Sequence, residues 1–131
     1  PSAALVRDLK ARGLLDTTIV HWGGEIGRLP VTENHGAVEK AGRDHNGQGF
    51  TTWVAGGGFK GGMAYGETDE FGHKAVVHPV SPNDYHATLL HLFGLDPQKL
   101  VFQRPGGVGS LLDGQDGKIV WDILRRGPAT A

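Results

Sequence analysis

The chain reads as an α/β fold: an open sheet with helices, and a polar site on a loop at the strand ends. Three observations point there. Two β-branched, mostly apolar runs, Thr17-Thr18-Ile19-Val20-His21-Trp22 and Phe50-Thr51-Thr52-Trp53-Val54-Ala55, each end in glycines. Between them lies a Gly-punctuated polar stretch carrying Glu25, Arg28, Arg43, Asp44 and His45. Helix signals flank the pair, over residues 2–15 and from Ser81 onward. Loops at strand ends are where open α/β sheets place polar chemistry.

Taken in order, residues 2–15 predict a helix with Leu5, Val6 and Leu9 on a narrow apolar face and Gly13 as its stop. Residues 17–22 predict a central strand covered on both faces, with His21 toward the core. Residues 29–49 show no periodicity and read as a long loop with one helical turn near 37–40. The second strand follows at 50–55. Residues 63–80, with Gly66, Asp69-Glu70 and Gly72 between two apolar pieces, read as a hairpin. Ser81-Pro82-Asn83-Asp84 is a helix start: a capping serine, proline at the first helical position, and a carboxylate three residues on. Tyr85, Leu89, Leu92 and Phe93 are its expected buried face, and Gly94 its stop. Glycine turns at Asp113-Gly114 and Asp116-Gly117 lead into residues 118–124, a strand or a short final helix.

Length and composition bound the rest. The 131 residues, 38% hydrophobic and 21% charged, fit one domain over 1–131 with a real core. A net charge of -1 without a basic stripe argues against a nucleic-acid partner. No apolar run is long enough to span a membrane. Pro1-Ser2-Ala3-Ala4 leads into a charged helix rather than a signal peptide, and a start at proline reads as a fragment or processed chain. With no cysteine, any metal must take His, carboxylate, carbonyl or water ligands, and seven His are present.

Gly56-x-Gly58-x-x-Gly61 follows a strand, as a dinucleotide fingerprint does, but Gly62-Met63-Ala64-Tyr65-Gly66 is a poor helix start, so tight turns are the better reading. Ser2, Ser81 and Ser110 are the only serines, and none sits in a nucleophile elbow. The strongest constellation is Glu25, Asp44 and His45, whose oxygen and imidazole donors suit a divalent Zn, Ca, Mg or Mn ion. Arg28 and Arg43 offer bidentate contacts to a phosphate or sulfate. The competing reading makes Glu25–Arg28 and Arg43–Asp44 surface ion pairs around a structural loop. His35 is a further candidate ligand or a plain turn residue; His86 and His91, five apart on the second helix, share no face well.

The order TIVHWGGEIGR, GRDHN, GFTTWVAGGGFKGG, YGETDEFG and NDYHATLLHLFGL resembles the C-terminal portion of an uncharacterised sulfatase-like family in the alkaline phosphatase superfamily, over residues 5–100. The resemblance implies a three-layer sandwich with a mainly parallel central sheet flanked by helices. It implies hydrolysis of sulfate or phosphate esters at a divalent-metal site, with a small anionic ester as substrate. The superfamily often has an Asp-His metal pair after the first strand; here the positions hold Glu25 and Ile26, of which only Glu25 can ligate. His45, with Asp44 beside it, falls where a further metal-binding His stands. The nucleophile is expected upstream, so the fragment alone is expected to be inactive, with an exposed sheet edge open to association. An exported or periplasmic setting comes from the resemblance only. The alternative is a degenerate relative that binds a ligand or partner without turnover.

Overall fold

A computed structural model of the chain describes residues 1–32, 38–112 and 114–125. Its sheets overturn the parallel sandwich. Strands β1 (Ile19–Trp22), β2 (Gly27–Arg28), β3 (His45–Asn46), β4 (Trp53–Gly56), β5 (Glu67–Thr68), β6 (Ala75–Val77), β7 (Val101–Arg104) and β8 (Gly107–Ser110) form only two-stranded ribbons among the described residues: β1–β4, β2–β3, β5–β6 and β7–β8. Every ribbon is antiparallel. Helices α1 (Ser2–Ala11) and α2 (Pro82–Leu92) accompany them, with 3₁₀ turns at Leu15–Thr17, Val38–Lys40 and Trp121–Ile123.

The reason for the reversal lies between β1 and β4. Parallel strands need a crossover, usually a helix, to carry the chain back to the starting end. Here the intervening segment zips onto itself. Gly27 pairs with Asn46 and Arg28 with His45, and the Leu29 N–H donates to Asp44 O at 2.8 Å. That register is offset by only two residues from the β1–β4 pairing, in which Trp22 faces Trp53. Residues 19–28 and 45–56 are therefore the two arms of one long, interrupted hairpin. β1 is correspondingly not a central strand: His21 and Trp22 are exposed.

Close backbone approach holds this arm together. A Cβ on Gly27 would stand 2.5 Å from Gly49 O, and one on Gly56, at φ +72°, 2.3 Å from Thr18 O. Asn46, 1% exposed, donates from Nδ2 to His73 O at 2.8 Å, and its Oδ1 accepts from the Gln48 N–H at 3.0 Å. The β5–β6 hairpin, expected over 63–80, thereby docks against the arm, helped by the Ala75 N–H donating to Gln48 O. Asp69 closes its loop. Backbone N–H donors of His73 and Lys74 on its two oxygens hold its carboxyl below the usual range.

α2 begins as expected. Ser81 Oγ accepts from the Asp84 N–H at 3.1 Å and Asp84 Oδ2 from the Ser81 N–H at 3.3 Å, a complete capping box with Pro82 at the first position. Its packing differs from the expected face. Ala87 and Thr88 are the fully buried residues, whereas Phe93 is 64% exposed. Small residues win because the tail lies directly on the helix: a Cβ on Gly117 would meet Asn83 O at 2.8 Å and Ala87 Cβ at 3.0 Å. Thr88 Oγ1 donates to Asp84 O and accepts from the Val120 N–H, and Asp84 Oδ1 accepts from the Lys118 N–H at 2.7 Å. Partial burial pushes the Asp84 carboxyl up, and the Lys118 and Ser81 donors pull it down further, to a net position below the ordinary range.

α1 stops at Ala11 rather than running to residue 15, with Gly13 at φ +71° turning the chain as expected. It buries no residue. The buried apolar core is Phe59, Ala87, Leu112 and Leu124, knitted by a bridge between Phe59 and Leu124. The end of the tail, left open as strand or helix, is the 3₁₀ turn with Leu124 as its anchor. Gly56 and Gly58, both at positive φ, form the tight turn that delivers Phe59 to the core. The β7–β8 ribbon has no counterpart in the sequence reading, although Arg104-Pro105-Gly106-Gly107 is a legible turn signal between two short apolar pieces.

Candidate functional site

The site is built on the middle of the long hairpin. Arg28 and His45 are directly paired across β2–β3, so their side chains rise from one face of the ribbon. Glu25 sits in the bend between β1 and β2, three residues before Arg28. Its Oε1 lies 3.8 Å from His45 Nε2 and 3.7 Å from Arg28 Nη2. Both separations exceed a hydrogen bond. The three side chains are 70%, 57% and 48% exposed for Glu25, His45 and Arg28. The cluster is thus an open, water-washed meeting of one carboxylate with two nitrogen groups.

Asp44 takes a different part. Its Oδ1 accepts from the His45 backbone N–H at 2.7 Å, while its carbonyl accepts from Leu29. It pins the start of β3 from both its side chain and its backbone. Arg43 is exposed on the approach to that strand. Among the described residues no group of three or more His, Asp or Glu side chains is close enough to hold an ion, so Asp44 does not complete a three-donor set with Glu25 and His45. His35 lies outside the described residues.

Glu25 and His45 carry donor atoms of the types that zinc takes, but they are two where a protein site supplies three or four. Carboxylate and imidazole bind zinc at about 2.0–2.2 Å each, and one ion at a wide angle spans 3.8 Å. Arg28 leans the other way, since it already offsets the charge on the same Glu25 oxygen.

One supporting residue was passed over by sequence reasoning. Asn46, adjacent to His45, is the buried anchor that fixes β3 against the β5–β6 hairpin. Asparagine between His45 and Gly47 reads as turn-former until its burial is known. Three of the other histidines are engaged elsewhere. His21 Nδ1 shares a hydrogen bond with Tyr85 Oη at 2.5 Å, His78 stacks on Tyr65 and His91 packs edge-on against Trp121, and His86 is exposed.

Residues 1–124 match a family described as a protein of unknown function, DUF1501. The chain belongs to that family. No curated protein matches it, and no solved structure does. No helix among the described residues is long and apolar enough to cross a membrane.

Proposed function

We propose that this DUF1501 chain contributes part of the metal- and anion-binding site of a hydrolase of sulfate or phosphate esters. The supporting observation is the approach of Glu25 Oε1 to His45 Nε2 at 3.8 Å, with Arg28 beside the same oxygen. Glu25 and His45 would hold the ion. Asp44 would steady His45 through the bond to its backbone N–H. Arg28, released from Glu25, and Arg43 would grip the sulfuryl or phosphoryl oxygens, a role suited to the guanidinium fork. A divalent ion in such a site polarises the ester oxygen and lowers the pKa of a bound water. The remaining ligands and the nucleophile would lie outside the described residues. Kinship with the alkaline phosphatase superfamily is part of this proposal and rests on motif order alone.

A second reading, a binding module without turnover, is favoured by two features. Ile26 stands where a ligating histidine would be needed, and Arg28 already neutralises Glu25. The deciding experiment uses the full-length protein with p-nitrophenyl phosphate and p-nitrophenyl sulfate, in the presence of Zn, Mn, Mg or Ca in turn. Metal-dependent turnover that disappears on His45→Ala, with circular dichroism unchanged, supports the hydrolase. Absence of turnover with every ion supports the binding module.

A further inference from the structure

We infer that Asn46-Gly47 is a deamidation site, kept in its amide form by the docked β5–β6 hairpin and converted once that hairpin lifts away. Of the asparagines in the chain, Asn34, Asn46 and Asn83, only Asn46 precedes a glycine. A residue without a Cβ lets its backbone nitrogen approach the preceding side-chain carbonyl most freely. The fold itself does not call for glycine there. Gly47 does not adopt a positive φ, and a Cβ on it would sit 3.7 Å from Ile26 Cδ1, an ordinary van der Waals contact. Gly47 is also exposed, so water and base reach its backbone.

What restrains the reaction is the fixing of the Asn46 side chain. It is buried. Its Nδ2 donates to His73 O at 2.8 Å and to Gly49 O at 3.4 Å, and its Oδ1 accepts from the Gln48 N–H at 3.0 Å. Those bonds hold both ends of the carboxamide, including the nitrogen that would leave. His73 lies in the loop between β5 and β6, so the lock is complete only while that hairpin is seated. The seat is close: the Ala75 N–H donates to Gln48 O at 2.9 Å, and a Cβ on Gly49 would stand 2.9 Å from Ala75 N. It is also thin. β5 and β6 are exposed along their lengths, and short elements with few buried groups open locally at low free-energy cost.

In the opened segment the Gly47 nitrogen attacks Asn46 Cγ. The N–Cγ bond forms as the Gly47 proton passes to solvent base, the Cγ–Nδ2 bond breaks, and ammonia leaves with a proton taken from water. Water then adds to either carbonyl of the cyclic imide. Cleavage of the N–Cγ bond gives aspartate. Cleavage of the bond from that nitrogen to the Asn46 backbone carbonyl carbon gives isoaspartate. No oxidation or reduction is involved. Neither product reseats the hairpin. In aspartate a carboxylate oxygen stands where Nδ2 stood, facing the His73 and Gly49 carbonyl oxygens in a buried place. A buried charge that meets acceptors instead of donors is strongly unfavourable. Isoaspartate lengthens the main chain by one carbon at the residue that pairs with Gly27, in a strand only two residues long. The lifted hairpin thus stays lifted, and β3, which also carries His45, loses its backing.

To test this, the full chain is incubated in mildly alkaline buffer, folded and in urea, and each asparagine is followed by peptide mass mapping. Conversion at Asn46 is expected to be at least about tenfold slower in the folded chain, because it waits on a local opening. In urea Asn46 converts ahead of Asn34 and Asn83. Gly47→Ala suppresses conversion in urea by hindering the attack, and with room for its Cβ it keeps the native fold. Gly49→Val drives a side chain into the Ala75 backbone and raises conversion in the folded chain. If that variant does not fold, graded urea on the wild type replaces it, and conversion rises below the main unfolding transition. Hydrogen exchange on Asn46→Asp reads the consequence: the Ala75 amide loses protection while the Lys60 amide, bonded to Ile123 O, keeps it. The inference is overturned by equal conversion in folded and unfolded chains, by conversion that ignores Gly47→Ala or a folded Gly49→Val, or by conversion that rises only with global unfolding. It is equally overturned if Asn46→Asp leaves the Ala75 amide protected or exposes both amides.

Discussion

Two regions of this chain handle polar groups in opposite ways. Around α2, Asp84 and Thr88 spend their oxygens on the backbone of Ser81, Lys118 and Val120 at 2.7–3.3 Å, and Thr88 is fully buried. On the β2–β3 ribbon, Glu25, Arg28 and His45 face one another across 3.7–3.8 Å in water. The first arrangement is scaffold: short, directed bonds in which these oxygens accept from backbone N–H groups. The second is loosely held charge, which adds little to stability because exposed ion pairs gain little. What it retains is freedom to rearrange around a ligand.

The contrast can be broken first at its packed end. Phe59→Ala empties the centre of a core with few fully buried apolar residues, while leaving the backbone bridge to Leu124 in place. It is expected to cost about 3–5 kcal/mol, read as a fall in the urea midpoint or as loss of a cooperative transition. Asp84→Asn is next. It puts an amide N–H₂ where a carboxylate accepts from the Ser81 and Lys118 N–H groups, and should cost about 1 kcal/mol or more at neutral pH. It also carries a pH signature. The folded-state pKa of Asp84 lies below its unfolded value, about 3.9, so its contribution is present above that value. It is lost as the pH falls through the depressed folded pKa. The difference in stability between wild type and Asp84→Asn should therefore shrink on acidification, which parallel urea titrations at neutral pH and near pH 3 would reveal. The smallest change is expected at the site. Glu25→Gln should shift stability by less than about 0.5 kcal/mol, while weakening zinc uptake measured by calorimetry. A large destabilisation by Glu25→Gln would mean that the cluster is scaffold after all.

Legibility in the sequence followed the same divide. The start of α2 was readable because a capping box is written in four consecutive residues, Ser81 to Asp84. The stops at Gly13 and Gly94 were readable because positive φ there favours glycine. Strands near 19–22 and 53–56 were readable from β-branched runs, and the 63–80 hairpin from its turn residues. Their direction was not, since an apolar run looks the same in a parallel and an antiparallel pair. The sandwich expected from resemblance thus gave way to ribbons. At the site, Glu25 and His45 were picked by residue type. Their meeting depends on β2 and β3, each two residues long, too short to show any alternation.

Local chemistry alone determined where this chain turns, caps its second helix and concentrates acid, base and imidazole, because those choices depend on side chains a few positions apart. Tertiary structure decided strand direction, the preference for Ala87 and Thr88 over larger neighbours in the core, and which ligand candidates meet. Each of these depends on how closely distant backbones approach, at Gly27 against Gly49 and at Gly117 against α2, and that distance is a property of the packed chain rather than of any window of residues.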